Sequence, residues 1–276
     1  MKKVILTIVC LLLLIISYSY FEKNDETKQN EPEEKTEKTS TPSWIDKQTN
    51  DSFYHLVLGD SLAKGYGSTQ GGFAELASTQ IEAQIHKPIT VENLGINGLT
   101  TDRLAKKVQS EDVKQKIRAA NIITINIGGN NLFRLNRDVG VIDGIKMLNK
   151  EKAHFEADVK NIVKTVRDQN PDALLILSEL YNPLQLDDSI ASYADMFLDG
   201  WNESVYSIAK ANQPSIVLPI RKLISNDKKE LLFDQVHPND KGYTIIADSF
   251  TKNCWPTNIK IPMKQFYFYN MSFLLQ

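Results

Sequence analysis

Residues 56–67 read LVLGDSLAKGYG, an apolar run that stops at Gly59-Asp60-Ser61 and then turns small and polar. Such a break marks the junction of a strand with a helix, and a serine placed there can cap the helix by accepting a backbone N–H bond. A serine that attacks a carbonyl carbon occupies the same kind of junction. It also needs a base, a group to orient that base, and donors for the resulting oxyanion. Position alone leaves both roles open for Ser61, and the partners must come from elsewhere in the chain.

Outward from this junction, short apolar runs alternate with longer amphipathic stretches. YHLVLG (54–59), ITVENLG (89–95), NIITINIGG (121–129), ALLILSEL (173–180) and SIVLP (215–219) have the length and composition of strands. Between them, Phe155, Val159, Ile162, Val163 and Val166 recur at helical spacing over 150–169, and Pro171 stops that helix before the next strand. Apolar strands separated by helices predict right-handed crossovers and an α/β fold, a three-layer α/β/α sandwich with a mainly parallel sheet of about five strands. Ligands of such sheets bind beyond the carboxyl ends of the strands.

Polar clusters fall at those ends. Gly59, Asp60 and Ser61 follow the first run, NLGINGLTT supplies Asn93, Gly95, Asn97 and Gly98 after the second, and GGNN (128–131) follows the third. Late in the chain, FDQVHPNDKGY puts Asp234 three residues before His237. That spacing lets a carboxylate hold one ring nitrogen while the other faces a hydroxyl. His55, His86 and His154 lack metal-like spacing with Cys, Asp or Glu and read as ordinary strand, loop and helix positions, so neither metal nor cofactor is expected.

The blocks GDSL (59–62), NLGING (93–98), GGNN and DQVH together resemble the GDSL or SGNH hydrolases, bacterial extracytoplasmic lipases and esterases that include lysophospholipase-like enzymes. The resemblance covers roughly residues 54–250 and implies a flavodoxin-like sheet and hydrolysis of lipid or small acyl esters. It implies Ser61 as nucleophile, His237 as general base and then acid, and Asp234 as the group that orients the imidazole. It also implies an oxyanion hole made by the backbone N–H groups of Ser61 and Gly98 and the side-chain amide of Asn130. Gly98 is aligned with the oxyanion glycine because it precedes LTT, which leaves Gly95 as a turn glycine expected at positive φ. Asn131 and Leu99 stand where members usually or often have Asp, which removes no catalytic atom but alters local hydrogen bonding. On this reading Ser61 both caps the helix and faces the site.

Composition bounds the partners. The chain has 276 residues, 42% hydrophobic and 24% charged, enough for one sizeable domain, and its net charge of -2 offers no basic stripe for nucleic acid. Two lysines before the apolar stretch 4–21 read as a signal peptide or membrane anchor, with Ser17-Tyr18-Ser19 as small residues at a cleavage spacing and everything after Phe21 outside the cytoplasm. Residues 22–50, rich in Glu, Lys, Thr, Asn and Pro, read as a disordered polar tether, residues 51–253 as the hydrolase domain, and 254–276 as an atypical tail. Cys10 lacks the preceding small residue of a lipidation site, and Cys254 alone cannot form an internal disulfide. Residues 132–150 are either a substrate-covering segment or an ordinary connecting helix. A polysaccharide O-deacetylase and a catalytically silent surface-binding domain are the alternative readings of the whole.

Overall fold

The computed structural model describes Trp44 and residues 48–133, 141–182, 188–224 and 228–254. The expected signal or anchor (1–21), nearly all of the tether and all but the first residue of the tail therefore lie outside the described residues. In chain order the elements are β1 (Phe53–Gly59), α1 (Ser61–Lys64), α2 (Phe73–Ile85), β2 (Ile89–Asn93), α3 (Thr101–Lys107), α4 (Glu111–Ala119), β3 (Ile122–Asn126), α5 (Gly129–Phe133), α6 (Val141–Gln169), β4 (Leu174–Ser178), α7 (Asp188–Ala211), β5 (Ser215–Leu218), α8 (Ile220–Leu223) and α9 (Asp240–Ser249). A 3-10 turn at Lys229–Leu231 precedes α9, and a π-helical turn at Phe250–Cys254 follows it.

All five apolar runs are strands, and every pairing between them is parallel, in the order β2-β1-β3-β4-β5. Strands covered on both faces have no solvated side to alternate toward, which is why IITIN and LLILS are buried at every position. Alternate residues feed two separate cores. Leu56, Leu58, Ile123, Ile125, Leu175 and Leu177 pack beneath residues of α3, α4, α6 and α7. Phe53, Val57, Ile122, Leu174 and Ile176 pack beneath α1, α2, α8 and α9.

The helices follow from their own residues. In α4, Val113 and Ile117 lie one turn apart and are buried, Glu111 and Asp112 occupy the first turn and Lys116 and Arg118 the last, a charge order that complements the helix dipole. The helix expected over 150–169 begins earlier, at Val141, so residues 141–150 are its first turns and continue the connecting helix. Trp44 donates its indole N–H to the Asp172 carbonyl at 2.8 Å and packs on Phe53, at the amino edge of the sheet, opposite the edge where the polar clusters emerge.

The strand order reverses direction between β1 and β3, because β2 is added on one side of β1 and β3 to β5 on the other. At such a switch point the loops leaving the two strands diverge and open a crevice at the carboxyl edge. Gly59 and Asn126 are register partners at that point, so the residues following Gly59 stand in the crevice.

Candidate active site

Gly59 sets the geometry of the junction. Its φ is +146°, and a Cβ there would stand 1.9 Å from the Asn126 carbonyl oxygen, so only glycine lets β1 turn this close to β3. The same carbonyl accepts the Asp60 N–H at 3.1 Å. Asp60 then serves as N-cap of α1, its carboxylate accepting the Leu62 N–H at 3.0 Å. This corrects the expectation that Ser61 caps the helix. Ser61 is the first helical residue, and its backbone N–H belongs to the first turn, where no intrahelical acceptor exists.

Relieved of capping, the Ser61 hydroxyl lies 2.8 Å from Nε2 of His237. Nδ1 of the same ring lies 2.8 Å from a carboxylate oxygen of Asp234. An ionised carboxylate only accepts, so Nδ1 carries the proton and Nε2 is left as the acceptor for the serine O–H. The other Asp234 oxygen accepts the backbone N–H groups of Val236 (2.7 Å) and His237 (2.6 Å), closing a tight turn. Partial burial works against the charge on Asp234, but these N–H groups and the imidazole outweigh it and hold the carboxyl below its ordinary value.

The turn is fixed from several sides. Leu232 and Pro238 form an antiparallel bridge, and the Phe233 N–H donates to the His237 carbonyl at 2.8 Å. Asn239 caps α9 through the Gly242 N–H and donates back to the Glu230 and Leu232 carbonyls. The hydroxyl of Tyr181, three residues beyond the end of β4, donates to the Val236 carbonyl at 2.5 Å. Tyr181 was not singled out in the sequence, where nothing marks a tyrosine 55 residues upstream as a support for this loop.

The second and third polar clusters meet beside this relay. Asn93 donates to the Ala63 carbonyl at 2.8 Å and accepts the Gly95 N–H at 2.9 Å, which ties the loop after β2 to α1. Ile96 donates its N–H to the Gly59 carbonyl at 3.0 Å. Gly95 does not have positive φ as expected. A Cβ at Gly95 would meet the Lys64 backbone nitrogen at 2.6 Å, so it is the close approach of α1 that requires glycine there, and it is Gly98 that turns left-handed, at φ +73°. The side-chain amide of Asn130, at the start of α5, donates to the Leu99 carbonyl at 3.0 Å, which brings the third cluster against the Gly98 turn. Leu99 is buried in the core under α3.

Two exposed aromatic side chains border the relay. The Tyr66 ring packs edge-on against His237 with centroids 4.7 Å apart, and Phe233 packs at 86° on Tyr66. Ile96, in the loop bearing Gly98, is also exposed. The sequence reading placed a possible substrate-covering segment at 132–150 instead. Residues 134–140 of that stretch lie outside the described residues.

The remaining histidines occupy the positions expected of them. His55, on β1, is fully buried and bonded through both ring nitrogens, to Ser78 on α2 and Thr124 on β3, each at 2.8 Å. His86 ends α2 in a left-handed conformation, and His154 lies on α6, 3.6 Å from Glu151.

Comparison with known proteins agrees with this architecture. Residues 57–245 match the model of the GDSL-like Lipase/Acylhydrolase family. The uncharacterized protein YpmR of Bacillus subtilis is 25% identical over 245 residues, covering 86% of this chain and 90% of its own. The spore germination lipase LipC of Bacillus licheniformis is 22% identical, covering 70% and 92%. Among solved structures, the lipase Lip_vut3 from a goat rumen metagenome superposes with a TM-score of 0.62 at 21% identity, covering 72% of this chain and 96% of its own. Axe2, an acetylxylan esterase from Geobacillus stearothermophilus, superposes with a TM-score of 0.52 at 19% identity, covering 72% and 92%. With the family model spanning the sheet and every polar cluster at its carboxyl edge, the chain belongs to the GDSL-like lipase/acylhydrolase family of hydrolases.

Proposed function

We propose that this hydrolase is a serine esterase that cleaves carboxylic esters through an acyl-enzyme. The observation that carries the reading is the unbroken relay from Ser61 Oγ to His237 Nε2 and from His237 Nδ1 to Asp234, with both links at 2.8 Å. In the first half-reaction Nε2 takes the hydroxyl proton as Oγ forms a bond to the ester carbonyl carbon, and the carbonyl oxygen becomes an oxyanion. The bond from that carbon to the alcohol oxygen then breaks as the oxyanion re-forms the carbonyl, the proton on Nε2 passes to the departing oxygen, and the acyl group stays on Ser61. In the second half-reaction a water gives its proton to Nε2 and attacks the acyl carbon, and the proton returns to Oγ as the carboxylic acid leaves. Asp234 stabilises the imidazolium in both.

The Ser61 N–H, the Gly98 N–H and the second amide N–H of Asn130 are the proposed oxyanion donors. Fixed donors at this position bind the intermediate more strongly than the neutral ester, which is what accelerates the reaction. Lipid or small acyl esters are the proposed substrates. The N-terminal apolar segment supports export of the domain, with the polar stretch as its tether, and so an extracytoplasmic site of action.

A fluorophosphonate probe tests the reading directly. The wild-type protein should be labelled and should hydrolyse p-nitrophenyl acetate, and Ser61→Ala should do neither. An unlabelled, correctly folded wild type would instead favour a catalytically silent binding domain.

A further inference from the structure

We infer that Tyr66 and Phe233 form the subsite for the alcohol half of the ester, and that this half is an uncharged ring, the chemistry shared by O-acyl sugars and aryl esters. The inference rests on the serine-esterase reading and adds to it which side of the cleaved bond these rings meet. When the intermediate collapses, the proton on Nε2 goes to the departing alcohol oxygen. That oxygen must lie within hydrogen-bond reach of Nε2, and the group it carries lies over whatever flanks the imidazole. Tyr66 flanks it, with ring centroids 4.7 Å apart, and Phe233 extends the surface beyond Tyr66.

These rings are built to be met by something. Tyr66 is 42% exposed and Phe233 59%, two of only five large apolar side chains so exposed among the described residues. They are also held in place. The Tyr243 hydroxyl donates to the Tyr66 carbonyl at 2.9 Å, and Asp240 accepts from Ser68 Oγ and from the Thr69 N–H and hydroxyl, each at 2.7 Å, which pins the loop to the start of α9. Two rings at 86° make an open corner. A flat, rigid partner can lie on one ring and abut the other, its C–H groups meeting the electron-rich faces. A flexible alkyl chain gains more from an enclosed groove that removes its whole surface from water.

The test holds the acyl group constant and varies the alcohol. Hydrolysis of methyl acetate, phenyl acetate and glucose pentaacetate is measured for wild type, Tyr66→Ala and Phe233→Ala. Each variant is compared with wild type on the same ester, so intrinsic leaving-group reactivity cancels. Both variants should lose about three- to ten-fold more kcat/KM on the ring esters than on methyl acetate, as the strength of an aromatic contact implies. The loss should fall on acylation and not on breakdown of the acetyl-enzyme, from which the alcohol has already gone. Phenyl acetate against glucose pentaacetate separates an aryl from a sugar preference. Equal losses on all three esters, slowed acetyl-enzyme breakdown, or a preference for acetylcholine over phenyl acetate would overturn the assignment. Because Tyr66 touches His237, Phe233→Ala decides the matter if Tyr66→Ala disturbs the relay. Fluorophosphonate labelling of the wild type with no change in alcohol discrimination in either variant sinks this inference alone, whereas no labelling sinks the esterase reading beneath it.

Discussion

The side-chain amide of Asn131 donates to Glu151 at 2.8 Å and to the Thr101 hydroxyl at 3.0 Å, while its oxygen accepts the Thr101 N–H at 3.1 Å. Asn131 is thus a buried clasp between α5, α6 and the start of α3. It needs a donor because Glu151 faces it with an acceptor. Asn131→Asp would replace that donor with a second carboxylate facing Glu151 and take away the donor to the Thr101 hydroxyl oxygen, which keeps only its own bond to Asp158. The expected cost is about 1–3 kcal/mol of stability, read by urea unfolding, with the fluorophosphonate reaction retained in the folded fraction. A variant as stable as wild type would mean that the clasp carries no weight.

Asn130 makes a different kind of contact, with its amide against the Leu99 carbonyl beside Gly98. If its other N–H serves the oxyanion, Asn130→Ala should lower kcat by about 10²- to 10³-fold with KM little changed, because the interaction arises only as charge develops. Ser61→Ala should be the more severe lesion. A rise in KM at unchanged kcat would identify Asn130 as a ground-state binding residue.

How much of this was legible in the sequence depended on whether the signal was local. All five strands could be read because runs such as NIITINIGG have no polar face to confuse with a helix. The polar blocks could be placed on one edge because parallel strands all end there. The choice between Asp60 and Ser61 as cap could not be read, since both are good caps one residue apart and the φ of Gly59 decides which one faces the Leu62 N–H. Nor could Gly95 and Gly98 be given their reasons, because a close approach to α1 and a left-handed turn both select glycine. The Tyr66–Phe233 corner and the Tyr181 support arise from loops far apart in sequence meeting in space, and no periodicity marks them.

Gly59 is the position least able to change. With φ at +146° and a hypothetical Cβ 1.9 Å from the Asn126 carbonyl oxygen, Gly59→Ala must push β1 and β3 apart at the switch point or twist the chain that carries Ser61. The substitution should cost about 3 kcal/mol or more, and the surviving folded protein should react slowly with fluorophosphonate. Thermal unfolding together with labelling rate checks both parts, and a stable, rapidly labelled Gly59→Ala protein would contradict the account of the junction.

Asp60 and His55 are buried titratable groups whose effects on stability oppose one another. Burial pushes the Asp60 carboxyl up to about 7, against the pull of the backbone N–H groups of Leu62 and Ala63. Its folded value exceeds its unfolded one, so the stability linked to Asp60 is complete below about pH 4 and is lost as pH rises through 7. Burial pushes His55 down to about 3, so its contribution is complete above about pH 6.5 and is lost progressively below that as pH falls through about 3. Between about pH 4 and 6.5 the two slopes have opposite signs, which flattens the wild-type profile. Asp60→Asn keeps a side-chain oxygen for the cap and removes one of the two. Its stability relative to wild type should therefore increase with pH across this window, by up to about 1.4 kcal/mol per pH unit. Urea unfolding of both proteins at pH 4.5, 5.5 and 6.5 measures the difference, and parallel profiles would show that Asp60 titrates alike in the folded and unfolded chains.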